Sequence, residues 1–255
     1  MQVSIIQAPI FWENPERNRN YYKTIIHAIP EETLLVVLPE MFTSGFTMNP
    51  KEVAETMEGV TVNWMVEIAK QKNIAITGSI VIYENENYFN RLLFVFPSGD
   101  IEYYDKKHLF TLAGEDQSYT SGNERKIITY LGWRICPLIC YDLRFPVFSR
   151  CNEDYDLLIY VANWPQVRIA AWDALLKARA IENMSYVIGV NRIGEDENDM
   201  NYTGHSQILD YLGAYLIEPS EKEAVFSFRL DKELMLANRN KYGFLSDRDA
   251  FTLTE

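Results

Sequence analysis

Three segments of this 255-residue sequence each end an apolar or β-prone run on one reactive group. Cys140 follows Pro137-Leu138-Ile139 and precedes the polar stretch Tyr141-Asp142-Leu143-Arg144. Glu40 closes Leu34-Leu35-Val36-Val37-Leu38-Pro39, and Lys106 follows Ile101-Glu102-Tyr103-Tyr104-Asp105. A structural cysteine belongs inside its apolar run, whereas one placed where a strand gives out presents its sulfur to a small molecule. Thiol chemistry needs a proton acceptor and a holder for the developing oxyanion. Glu40 suits the first task, because a carboxylate partly withdrawn from water becomes a better base. Lys106 suits the second, and an ammonium beside the sulfur also favours thiolate. The backbone N–H of Tyr141, just after the cysteine, is a natural second donor.

Each residue also has a plainer reading. Glu40 reads as a solvated strand end, Lys106-Lys107-His108 as a charged loop, and Cys140 as a small core residue. His108 and His205 read as hydrogen-bonding structural residues. Asp142 and Arg144 read as a pair that holds the turn after Cys140.

The elements that must position these groups follow from local patterns. Strands are expected at 2–7, 34–38, 74–83, 91–96, 101–105, 133–139, 157–162, 186–191, 206–210 and 224–230, all short and rich in β-branched and aromatic residues. Asn14-Pro15 predicts a helix start, with asparagine capping and proline in the first turn of a helix reaching about His27. A second helix is expected over 61–71. A third follows Pro165, with Ile169, Trp172, Leu176 and Ala180 on one face. Pro97-Ser98-Gly99-Asp100 predicts a hairpin turn, and 191–203, with four acidic residues, a polar surface loop bordering the site. Strand–helix–strand alternation mixed with adjacent strands predicts an α/β protein with helices layered outside sheets. No linker, repeat or low-complexity tract divides the chain, so 1–255 is expected to be one domain.

Composition narrows the function. Apolar residues make up 47% and aromatics 13%, enough for a substantial core. A formal charge of −12 repels phosphate backbones and anionic bilayers, so neither nucleic acid nor membrane is expected as a partner. Arg17 is the first basic residue, so no signal peptide is expected. Three sparse cysteines, Cys136, Cys140 and Cys151, fit free thiols in a reducing compartment, and a cytoplasmic location is expected. Cys136 and Cys140, with no histidine partner nearby, do not make a zinc site.

Together the segments Leu38-Pro39-Glu40-Met41-Phe42, Tyr104-Asp105-Lys106-Lys107-His108-Leu109-Phe110 and Cys140-Tyr141-Asp142-Leu143-Arg144-Phe145-Pro146 resemble the three motif regions of the nitrilase, or carbon–nitrogen hydrolase, superfamily. The resemblance extends from Gln2–Gln7 to Gly204-His205-Ser206-Gln207. Stretches 40–48, Asn163-Trp164-Pro165 and 178–183 look most like the omega-amidase branch, which removes ammonia from the side-chain amide of 2-oxo acids such as 2-oxoglutaramate. Val147 stands where the superfamily often has glutamate, as suits that branch, and Tyr211 where relatives commonly have proline.

The resemblance implies a four-layer α-β-β-α sandwich with the site at one edge of the paired sheets. It implies a homodimer, or larger assemblies of dimers, in which outer helices pair, and no metal or organic cofactor. It implies Cys140 as nucleophile, Glu40 as base, Lys106 as the cation, and Glu115, in Leu112-Ala113-Gly114-Glu115-Asp116, as a further carboxylate. A 2-oxo dicarboxylic monoamide would bring a free carboxylate, for which Arg168, near the start of the helix after Pro165, is the candidate partner; its plainer reading is a solvated or dimer-contact arginine. Phe42, Phe46 and Trp164 are expected to line the apolar part of the pocket. Competing readings are nitrile or N-carbamoyl hydrolysis, a papain-like Cys/His hydrolase using His108 or His205, and a non-catalytic scaffold.

Overall fold

The structure is a computed structural model that describes residues 1–252. In chain order its first elements are β1 (Gln2–Gln7), α1 (Pro15–His27), β2 (Leu35–Val37), the short α2 (Pro50–Val53), α3 (Val60–Lys72), β3 (Ala75–Glu84), β4 (Asn87–Val95) and β5 (Ile101–Asp105). They are followed by α4 (Glu115–Ser118), β6 (Ile128–Tyr130), β7 (Trp133–Ile139), α5 (Pro146–Ser149), β8 (Leu157–Ala162) and α6 (Ile169–Asn183). The remainder comprises β9 (Tyr186–Asn191), β10 (Ile193–Glu195), β11 (Asn201–Thr203), β12 (Gln207–Leu209), β13 (Tyr215–Ile217), β14 (Ala224–Arg229) and α7 (Lys232–Tyr242).

Two six-stranded sheets form, in the orders β14-β1-β2-β3-β4-β5 and β13-β12-β9-β8-β7-β6, with β10 and β11 as a separate hairpin. The two-residue period of a strand explains why the sheets stack. On β1 and β2, Val3, Ile5, Leu35 and Val37 face the second sheet, and register pairs Val3 with Leu35 and Ile5 with Val37. The alternate residues Ile6 and Val36 face outward, onto Tyr22 and Ile26 of α1 and Met65, Ile68 and Ala69 of α3. On the far side, Trp172, Leu176 and Ala180 of α6 join the core. Gly189 on β9 makes that approach possible, since a Cβ there would lie 2.4 Å from Leu176 and 2.8 Å from Trp172. Each buried large side chain contributes about 1.5–3 kcal/mol, several times the usual spread of helix propensities. The apolar stripe therefore fixes α6. The result is the expected α-β-β-α sandwich.

Asn14 caps α1 as expected, its side chain accepting from the Arg17 N–H at 3.1 Å. Elsewhere the structure adds elements. β4 starts at Asn87 rather than Arg91, because Asn85 and Glu86 both take positive φ (49° and 62°) and make a two-residue hairpin turn without glycine. The polar loop at 191–203 contains the β10–β11 hairpin. β6 and β13, three residues each, escape pattern reading. So does α7, although Asp231 caps it at the Leu234 N–H and Gly243 ends it in the left-handed conformation.

Candidate active site

Glu40 stands three residues beyond β2, on a loop pressed against β3. Met41 and Phe42 bond to Ser79 there, through its hydroxyl at 2.8 Å and its carbonyl at 3.2 Å. Gly78 leaves room for that loop, since a Cβ on it would stand 2.8 Å from Leu38 Cβ. Lys106 directly follows β5, and its N–H donates to the Asn90 carbonyl of β4 at 3.0 Å. Cys140 directly follows β7, with φ of +43°, and opens a 3-10 turn over Cys140–Arg144. A non-glycine residue in that conformation marks a sharp change of direction at a functional position. Glu115 is the first residue of α4.

These segments converge. Lys106 Nζ lies 2.9 Å from Glu40 Oε1 and 2.9 Å from both oxygens of Glu115. Asn90 Nδ2 donates to Glu40 Oε1 at 2.8 Å and to Glu115 Oε1 at 3.4 Å. From the second sheet, the Asn163 N–H donates to Glu40 Oε2 at 2.8 Å, and its side chain to the Glu40 carbonyl at 2.7 Å. Glu40, Lys106 and Glu115 are all buried, whereas Cys140 is partly exposed. Buried charges persist only when paired and hydrogen-bonded, and these are.

The electrostatics correct one expectation. Burial alone would lower Lys106, but Glu115 and Glu40 overcome it and hold the ammonium above its ordinary value. Burial pushes Glu115 up, and Lys106 pulls it only part of the way back. Burial and then the Glu40 charge push the Cys140 thiol well above its ordinary value, against the pull of Lys106. Two carboxylates already claim the cation, so it sustains no standing thiolate. The thiol is protonated at neutral pH and needs a base.

Asp142 is a second correction. It does not pair with Arg144. Its buried carboxylate accepts from Tyr104 Oη at 2.8 Å, the His108 N–H at 3.0 Å, His108 Nδ1 at 2.8 Å and the Ile139 N–H at 2.9 Å. It thereby fastens the lysine segment to the cysteine turn. His108 stacks on Phe145 at 3.7 Å, and His205 Nδ1 meets Asp173 at 2.9 Å. Both histidines are thus engaged by carboxylates of their own, Asp142 and Asp173, against a Cys/His hydrolase.

A cavity of about 620 Å³ opens over Cys140 and Lys106, within the usual range for small-molecule sites. Tyr141, Phe46, Trp164 and Arg168 line it. Phe42 does not. It is fully buried between Tyr22 and Trp64, because the turn at Met41 (φ +43°) sends it into the outer core. Asp196 and Tyr202 of the acidic hairpin border the cavity. Asn90 is not singled out in the sequence, where Arg144 reads as a turn-holding partner of Asp142 and Asn163 only as part of a branch-like stretch. The available signals were an arginine four residues after Cys140, an asparagine on β4 and another directly after β8. Arg144 lies 5.0 Å from the Trp164 ring and Arg168 5.1 Å from that of Phe110, so aromatic faces rather than carboxylates support both guanidinium groups. Among the described residues no cluster of histidine, cysteine and carboxylate side chains suits a metal, and no helix is long and apolar enough to cross a membrane.

The sequence profile of the carbon-nitrogen hydrolase family matches residues 2–238. The chain belongs to the carbon–nitrogen hydrolase family. Within that family it is 42% identical over 257 aligned positions to an omega-amidase YafV of Yersinia enterocolitica, covering 99% of this chain and 98% of that one. It is 31% identical to a 2-oxoglutaramate amidase of Bacillus subtilis, covering 90% of each. Its fold superposes with a TM-score of 0.97 on XC1258 of Xanthomonas campestris, a CN-hydrolase superfamily protein with an arsenic adduct in its active site. That chain is 40% identical, and the match covers 100% of this chain and 99% of that one.

Proposed function

We propose that this carbon–nitrogen hydrolase is an omega-amidase. It removes ammonia from the side-chain amide of 2-oxo acid monoamides, 2-oxoglutaramate or 2-oxosuccinamate, through a thioester on Cys140. The observation that carries this reading is the shared cavity, lined by Cys140 and Lys106 and by Arg144 and Arg168. The first pair suits an amide carbonyl and the second a carboxylate. The relatives named omega-amidase and 2-oxoglutaramate amidase support it.

Glu40 takes the Cys140 proton as sulfur attacks the amide carbon. The oxyanion lies between Lys106 Nζ and the Tyr141 N–H, which sits in the first turn of a 3-10 helix, where donors lack intrahelical acceptors. Glu40 returns the proton to the amide nitrogen, the C–N bond breaks and ammonia leaves. Water, deprotonated by Glu40, then cleaves the thioester to the dicarboxylic acid and restores the thiol. Glu115 keeps Lys106 in place throughout. Phe46, whose ring lies 5.0 Å from Lys106 Nζ, and Trp164 form the apolar walls. The working protein is a cytoplasmic homodimer that needs no metal or organic cofactor.

The test is ammonia release from 2-oxoglutaramate, a simple nitrile and an N-carbamoyl amino acid, each against Cys140→Ala. Turnover confined to the omega-amide and lost in the variant upholds the assignment. Preferential turnover of the nitrile or the carbamoyl compound overturns it, and no turnover of any compound favours a scaffold.

A further inference from the structure

Asn90 touches both carboxylates of the site and the backbone of Lys106 from one position on β4. Its Nδ2 donates to Glu40 Oε1 and to Glu115 Oε1, and its carbonyl accepts the Lys106 N–H. The side chain is fully buried, and among the described residues its Oδ1 has no hydrogen-bond partner. The amide therefore stays in place for its donors alone.

A lone-pair count on Glu40 gives this arrangement a consequence. Each carboxylate oxygen accepts about two hydrogen bonds. Oε1 has two donors, Lys106 Nζ at 2.9 Å and Asn90 Nδ2 at 2.8 Å. Oε2 has one among the described residues, the Asn163 N–H at 2.8 Å. One acceptor position on Oε2 stays open, on the carboxylate whose charge acts on the Cys140 thiol.

We infer that Asn90 is a positioning residue: it fills Oε1 and donates to both carboxylates, so that the Cys140 proton passes to Glu40 Oε2. This rests on the mechanism proposed above and deepens it. The charged and titratable groups around Glu40 are Lys106 after β5, Glu115 of α4, Cys140 after β7 and Tyr119 beyond α4. Among these groups' neighbours, Asn90 is an uncharged donor shared by both carboxylates. Without it the carboxylates hold a proton to higher pH, because a lost donor disfavours the charged form.

The experiment is the pH dependence of the p-nitrophenolate burst with p-nitrophenyl acetate, in wild type, Asn90→Leu and Asn90→Asp. This burst needs only Cys140 and its base, whereas the omega-amide assignment is read by ammonia release, so the two can fail separately. In Asn90→Leu the acid limb of the burst rate should move up by about 1–2 pH units, the worth of one hydrogen bond to a charged group. The plateau should fall about tenfold, the equivalent of that bond's weaker end. Asn90→Asp keeps the side-chain shape should the leucine variant fail to fold. A third carboxylate beside two others should raise the limb at least as far. A limb that stays at its wild-type pH in a folded variant, with only the plateau altered, would reduce Asn90 to packing and overturn the inference.

Discussion

At the scale of single residues, position along the strand separates reactive groups from their neighbours of the same type. Cys136 lies inside β7 and is fully buried, whereas Cys140 opens the turn beyond it. Cys140→Ala should abolish ammonia release and leave the fold intact, and Cys136→Ala should keep most activity. Calorimetry supplies a second reading of Cys140. Its folded-state thiol is held above its ordinary value. The stability from that neutral thiol is complete below the unfolded value of about 8.5 and is lost as pH rises toward the folded one. Wild type should therefore lose on the order of 1–2 kcal/mol more than Cys140→Ala between pH 7 and 10. Equal slopes would count against the raised thiol. Lys106 and Lys107 are distinguished in the same way. Lys106→Met strands two buried carboxylates, so it should lower kcat by orders of magnitude and lower stability by about 3–5 kcal/mol. Lys107→Met should change little in either assay. Arg144 and Arg168 separate by substrate charge. Either arginine replaced with glutamine should raise KM about 10- to 100-fold for 2-oxoglutaramate if it grips the carboxylate. An uncharged amide of similar length should be unaffected, and an equal rise for both amides would make that arginine structural.

At the scale of elements, the site depends on loops pressed against strands. Gly78 of β3 is the tightest example. Gly78→Ala would place a methyl carbon 2.8 Å from Leu38 Cβ and 3.2 Å from the Phe42 ring. The Glu40 loop must then shift, at a cost of about 1–3 kcal/mol in overpacking, and kcat should fall more than KM. An unchanged kcat in a destabilised protein would show that the loop absorbs the strain without moving Glu40. Elements with strong local signals were legible in the sequence. Asn14-Pro15 opens α1, the spacing of Trp172, Leu176 and Ala180 marks α6, and the apolar run 157–162 is β8. Glu40, Lys106 and Cys140 were legible because each follows such a run. What escaped depends on contacts far apart in the chain. Phe42 reads as an aromatic beside Glu40, and only the turn at Met41 sends it to Tyr22 and Trp64. Asp142 and Arg144 sit two apart and read as a pair. Asp142 instead meets Tyr104 and His108, more than thirty residues upstream.

At the scale of the whole molecule, the site lies on the seam between the sheets, where Asn163 from β8's sheet holds Glu40 from β2's. The homodimer proposed above would bury apolar side chains of the outer layer. Ile181 of α6 and Leu212 are half-exposed, and Gly213, next to Leu212, sits against Ile181. Ile181→Lys should shift the protein toward monomer in sedimentation velocity with little change in melting temperature. A dimer that persists unaltered would place the contact elsewhere on the molecule.

β1 carries a different consequence, one that concerns how the protein is made. It pairs in parallel with β2 and antiparallel with β14, and residues 2–7 meet 224–229 across more than two hundred intervening positions. During synthesis one flank of β1 therefore has no strand beside it until the ribosome has released β14. At about 5–20 residues per second, the nascent chain carries the unpaired edge of this six-residue strand for on the order of ten seconds or more. Such an edge invites pairing with the wrong chain. Yield in a cell would then depend on how fast translation reaches Arg229 and on what shields β1 meanwhile. Chains arrested before Ala224 would aggregate or be degraded, although every residue of the active site had already been translated.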